Sequence, residues 1–177
     1  PKATQIVSEL FSDCAISDAP LGATFDIAEQ QRLWRDPRHQ DFGWRLLVKS
    51  KNYPSVWKKF AKKISPAGEA AWEMYRIQQV LPRGGKEIIL NETIPLEAGF
   101  LEMNGVSFSK GCFVGQETTA RTHHRGTLKK RLFHVILEGD GSVAVKTPVL
   151  TTSDKEAGTI TSTICLNGQC QGLATLR

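Results

Sequence analysis

The clearest periodicity lies in residues 55–64, where Val56, Trp57, Phe60, Ala61 and Ile64 recur at helical spacing and Lys58, Lys59, Lys62 and Lys63 fill the other positions. Apolar side chains three and four apart share one helix face. The stretch therefore predicts an amphipathic helix laid against a sheet, with Ser55 as its cap. A second helix is predicted from Ser65-Pro66, where proline suits a first turn, through Trp72 and Tyr75 to about Gln79; Pro82 and Gly84-Gly85 end it. Residues 1–31 show short apolar runs and an Asp18-Ala19-Pro20-Leu21-Gly22 turn signal without helical period, and read as strands and loops. Trp34-Arg35-Asp36-Pro37-Arg38 breaks the chain before Gly43–Val48, which reads as a short buried strand.

After Gly126 the texture changes. Residues 128–137, 142–150, 158–164 and 169–176 read as strands, separated by Gly139-Asp140-Gly141, Thr152-Ser153-Asp154-Lys155 and Asn167-Gly168 turns. Helices among strands predict α+β or α/β layers in a body over residues 1–126, followed by a small all-β domain over 127–177. If Leu166 and Gln169 close the Asn-Gly turn, Cys165 and Cys170 fall opposite each other at a non-hydrogen-bonded pair.

Composition narrows the class. With 177 residues, 40% of them hydrophobic, the chain is neither disordered nor fibrous and can bury a real core. No stretch approaches the ~20 apolar residues that span a bilayer, and none resembles an export signal, so a soluble protein is expected. Pro1 in place of Met leaves room for a segment before it. The net charge of +5 admits an anionic partner such as a polyglutamylated or phosphorylated small molecule, an acidic protein or RNA, and equally an ordinary solvated lysine surface. Four cysteines are too sparse for a disulfide scaffold; a reducing compartment is expected, with Cys165 and Cys170 as two small residues on one strand face. Lys49, Lys51, Lys58, Lys59, Lys62 and Lys63 form an acid-free run interleaved with Tyr53, Trp57 and Phe60, which raises an RNA surface. On the helix drawn above those aromatics face the core, which disfavours nucleic acid.

The segment from Lys110 to Gly126 carries the chemistry. Gly111 precedes Cys112 and Gly115 follows, so the backbone is free to bend and another molecule to approach. If a short helix starts at Gln116, Cys112 lies just before its positive end with Lys110 and Arg121 near, and both effects favour the thiolate. Glu117 and Arg121, four apart, are expected to pair and hold the loop, at about 0.3–0.5 kcal/mol. From spacing alone Cys112 reads equally as a small buried hydrophobe. Cys112, His123 and His124 lack structural-zinc spacing. A Cys-His nucleophile shows no third group or oxyanion hole. A cluster shared between Cys112 and a partner's cysteines fits thiolate chemistry better.

Lys110, Gly111, Cys112, Phe113, Gly115, Gln116, Glu117 and Arg121 together resemble the Lys-Gly-Cys-aromatic-X-Gly-Gln-Glu…Arg signature of the YgfZ family, which is related to the glycine-cleavage T-protein, an aminomethyltransferase. Asp36-Pro37-Arg38 with Gly43-Trp44-Arg45, Tyr75-Arg76, Pro82, Gly85 and Ile94-Pro95-Leu96-Glu97 are similar to further stations of that family. Two positions depart from it: Val80 stands where relatives often carry glycine, and no Tyr-Thr-Gly-Glu motif accompanies Asp36-Pro37-Arg38. The resemblance implies a T-protein-like folate-binding fold with a C-terminal β-barrel, its N-terminal part missing here and its barrel unfinished at Arg177. It implies an accessory factor for assembly or repair of iron-sulfur proteins acting through Cys112, with Lys110, Gln116, Glu117 and Arg121 around it. Tetrahydrofolate or another folate would sit near Arg76 and Glu97, and a transient iron-sulfur cluster would be shared between Cys112 and a carrier or client protein. The location implied is the cytoplasm in a bacterium and the mitochondrial matrix in a eukaryote. A folate-dependent one-carbon transferase and an RNA-binding module are the alternatives.

Overall fold

A computed structural model describes residues 2–126, 128–138 and 143–177. Two compact units divide it, residues 1–66 and 67–177, so the change of texture after Gly126 falls inside the second. The Gly139-Asp140-Gly141 turn and Ser142 lie outside the described residues.

The first unit opens with α1 (Lys2–Leu10), where strands and loops were expected. Thr4 and Ser8 stand beside buried Val7 among its covered positions, and these hydroxyl residues blur the apolar period. Thr4 accepts a hydrogen bond from the Trp44 indole at 3.1 Å. Strands β1 (Thr24–Ala28), β2 (Gln31–Arg35) and β3 (Trp44–Leu47) pair antiparallel in that order. Trp34 and Arg35 therefore belong to a strand, and the chain breaks only at Asp36-Pro37. Val7, Ile16 and Leu33 form the core, with Phe11, Cys14, Phe25 and Phe60 packed on it.

Asp36 is buried at the end of β2 and clamps the β2–β3 turn. Its carboxylate accepts from Arg38 at 2.7 and 2.9 Å and from Arg45 at 2.8 Å. Burial by itself would raise its pKa; the Arg38 and Arg45 hydrogen bonds outweigh that and hold it at about 2.

Helix α2 (Tyr53–Ala61) starts two residues before Ser55, with Pro54 in its first turn; the Ser55 hydroxyl donates to the Asn52 carbonyl at 2.8 Å. Only Val56 and Phe60 turn inward. Tyr53 and Trp57, expected in the core, are exposed and stack on each other at 5.8 Å. The helix touches its unit along one narrow line of residues four apart, which leaves half of its apolar arc outside.

In the second unit α3 (Glu69–Gln78) begins three residues later than proline suggested, because Gly68 is still extended and serves as its N-cap. Leu81 N–H bonds the Arg76 carbonyl and Val80 N–H the Ile77 carbonyl, the paired closure that terminates helices with a left-handed residue. That residue is Val80, at φ +52°. Turns occupy residues 81–109, and α4 (Gln116–Arg125) follows.

Strands β4 (Arg131–Leu137), β5 (Pro148–Leu150), β6 (Glu156–Leu166) and β7 (Gln169–Leu176) form an antiparallel sheet in the order β4-β7-β6-β5. Helix α3 packs on β6 and β7. Gly158, buried on β6, lies so close to β7 that a Cβ there would overlap the Thr175 carbonyl oxygen. The hairpin register pairs Leu166 with Gln169 and Cys165 with Cys170, as the Asn-Gly turn predicts. The free pair expected in a reducing compartment is instead a disulfide, the turn having brought the two Cα atoms to 4.1 Å.

Candidate functional site

The loop before α4 is built by local rules. Gly111 and Gly115 both take positive φ, at +53° and +87°, and Gly115 is the N-cap of α4. Gln116, the first helical residue, folds its side chain back so that Oε1 accepts the Phe113 N–H at 3.1 Å. The Lys110 ammonium sits 5.0 Å from the centre of the Phe113 ring, a cation–π distance. The loop is thus pinned at both sides of Cys112, and the thiol is exposed. Spacing alone left a buried and an open Cys112 equally good; the structure places it in the open.

Behind the thiol lies a cavity of about 240 Å³, lined among others by Phe108, Cys112, Phe113, Gln116, Thr119 and His124. Sites for drug-sized ligands run to about 300–1,000 Å³. The recess is therefore smaller than such a site. Of its lining residues, Phe108 lies edge-on to His124 at 5.8 Å and also stacks parallel to His123 at 3.8 Å. Phe108 escaped the sequence reading because no spacing rule joins it to a histidine pair fifteen residues on.

Other expected site residues are placed differently. Glu117 and Arg121 are both exposed on α4, but no ion pair joins them, so the loop is held by Gln116 and the glycines instead. Among the described residues no group of three histidine, cysteine or acidic side chains gathers in a metal-binding arrangement. Glu97 is half-buried, and its backbone carbonyl accepts the Leu132 N–H at 3.2 Å, tying the 94–97 turn to β4.

Arg76 stands at the centre of a buried ionic network. Its guanidinium contacts Glu73 at 2.9 Å, Glu87 at 3.1 Å, the Leu81 carbonyl at 2.8 Å and the Ser162 hydroxyl at 3.1 Å. Ser162 also bonds Glu87, and Arg83 and Lys86 reach Glu73 from outside. Burial would raise the Glu73 pKa, but Arg76 and Lys86 together hold it at about 2. A folate contact by Arg76 would need this network opened. Its physical role here is to join α3 to β6.

Comparison with known proteins agrees with the sheet. The family described as CAF17, C-terminal beta-barrel domain, matches residues 129–177. The iron-sulfur cluster assembly factor IBA57, mitochondrial, of Mus musculus is 44% identical over 111 residues, covering 60% of this chain and 28% of that protein. Its Homo sapiens counterpart is 42% identical over 107 residues, 58% of this chain and 28% of that protein. The Dictyostelium discoideum homolog is 41% identical over 109 residues, 62% and 26% of the two chains. The chain therefore spans less than a third of the length of these curated relatives. No helix among the described residues is long and apolar enough to cross a membrane.

Proposed function

We propose that this homologue of the IBA57 proteins is part of an iron-sulfur cluster assembly factor, and that Cys112 is the side chain through which it meets its cargo. The observation that carries the reading is an exposed cysteine on a loop pinned by Gln116 and two left-handed glycines, in a chain similar to proteins named for cluster assembly. Thiolates are the natural ligands of iron-sulfur clusters. The fixed loop lowers the entropic cost of presenting one. The cluster is cargo, with its remaining ligands supplied by a carrier or client protein.

Folate binding enters only as part of the whole protein, through the resemblance to the T-protein superfamily, and equilibrium dialysis of the full-length protein against tetrahydrofolate tests it. For a eukaryotic source the mitochondrion is the proposed location, after the relatives' names, with the matrix within it following from the family resemblance. The decisive experiment replaces Cys112 with serine in the full-length protein. Maturation of client iron-sulfur enzymes is expected to fall to the level of the deletion, while circular dichroism and Tm stay at wild-type values. Normal client activity in the Cys112→Ser strain would end the reading.

A further inference from the structure

Cys165 and Cys170 are a bonded pair that the proposed function does not use. Their disulfide joins residues only five apart in sequence, and the backbone holds them together by other means. Asn167 and Gly168 take φ +52° and +77°, the left-handed pair that a two-residue hairpin turn demands. Behind the turn the β6–β7 ladder runs from Leu166–Gln169 to Gly158–Leu176, and β4 pairs with the other edge of β7 from Leu137–Cys170 to Arg131–Leu176. Turn and ladders thus set the two cysteines opposite each other at a non-hydrogen-bonded position, where facing side chains come closest. None of these constraints needs the sulfur–sulfur bond.

A disulfide that a fold requires differs from one that it only permits. The stabilisation a cross-link gives grows with the length of chain it closes, and this one closes very little. Oxidised and reduced forms can therefore share one backbone. Access is uneven: Cys165 is exposed at the end of β6, and Cys170 is half-buried at the start of β7. Exposed disulfides are the ones that exchange with a thiol pool, and the rate depends on which sulfur is attacked.

We infer that Cys165 and Cys170 form a reversible thiol–disulfide site whose exchange partner is a low-molecular-weight thiol of the glutathione class, with Cys165 as the attacked sulfur. A partner thiolate attacks Cys165 Sγ, the Sγ–Sγ bond breaks, and Cys170 leaves as a thiolate and takes a proton. A second partner thiolate then attacks the partner's sulfur in the mixed disulfide, and Cys165 leaves and is protonated in turn. Two electrons and two protons pass to the cysteines, and two partner thiols become one partner disulfide. Oxidation runs the same steps backwards: Cys165 attacks the partner disulfide, and Cys170 displaces the second partner thiol. The inference is independent of the cargo role of Cys112.

Trypsin isolates the pair, because no lysine or arginine lies between Lys155 and Arg177; the peptide 156–177 carries both cysteines and neither Cys14 nor Cys112. Full-length protein is equilibrated anaerobically at a series of ratios of reduced to oxidised glutathione, quenched with acid and alkylated, and the disulfide and doubly alkylated forms of that peptide are counted by mass spectrometry. The peptide is expected to pass from disulfide to dithiol within the series, along one curve whichever state it starts from, with the far-UV circular dichroism unchanged. Cys170→Ser, which lacks the thiol that expels glutathione, is expected to accumulate a glutathione adduct on Cys165 at least tenfold faster than Cys165→Ser does on Cys170. A peptide that stays disulfide in reduced glutathione, or dithiol in oxidised glutathione, overturns the exchange site. Loss of the sheet signal on reduction overturns the shared backbone on which it rests, and equal adduct rates in the two variants overturn Cys165 as the attacked sulfur.

Discussion

Val80 occupies the one position at the end of α3 that needs a left-handed backbone. A β-branched side chain there, at φ +52°, meets the carbonyl crowding that makes this region the preserve of glycine. The position is also where the YgfZ-like pattern carries glycine, so the departure seen in the sequence has a physical counterpart. Val80→Gly relieves the clash at a smaller entropic cost, and is expected to stabilise the second unit by about 1 kcal/mol. A urea titration of both proteins checks it, and a lower midpoint for the glycine variant would contradict the strain assignment. Cys112 teaches the complementary lesson. The motif marked it, but the loop that carries it is fastened by Gln116 reaching back to Phe113, a hydrogen bond that no spacing announces.

At the level of elements, charge does much of the joining. Asp36 ties the β2–β3 turn and Glu73 ties α3 into the second unit, each with a carboxyl held at about 2, below ordinary values of 3.8 and 4.5. A depressed folded-state pKa means stability that is complete above the unfolded value and lost as pH falls toward the folded one. Stability is therefore expected to be flat above about pH 5 and to drop between about pH 4.5 and 2. Asp36→Asn should flatten part of that slope and cost about 1–3 kcal/mol at neutral pH. Chemical denaturation at a series of pH values measures both; an unchanged slope would remove Asp36 from the account.

The elements themselves were legible where one residue type dominated the pattern. Strands β4, β6 and β7 emerged from their turns, and the Asn167-Gly168 hairpin fixed even the register of Cys165 on Cys170. Helix α1 was hidden because hydroxyl residues share its covered side. The phase of α2 was read correctly but its depth was not. Periodicity reports which side chains share a face, and the breadth of the surface beneath decides how many are covered. Arg76 was singled out by resemblance, while its partners Glu87 and Ser162 lie 11 and 86 residues away and left no local trace.

On the scale of the molecule, the chain's excess positive charge is unevenly spread. Residues 42–68 contain no acid, and Lys58 and Lys59 share α2 with the exposed Tyr53–Trp57 pair, whereas residues 110–125 carry Lys110, Arg121 and Arg125 against the single acid Glu117. The second unit relies on close backbone contact as well as on the ionic network beneath α3. At Gly158 two strands pass with room for a hydrogen atom and nothing larger. Gly158→Ala is therefore expected to leave the cysteine chemistry untouched and still cut the soluble yield at 37 °C far below wild type, with partial recovery at 18 °C; a wild-type yield at 37 °C would refute it. The crossing thus defines a class of lesion that acts through accumulation of the fold, answers to cooler growth or a folding chaperone, and leaves the thiol itself chemically intact.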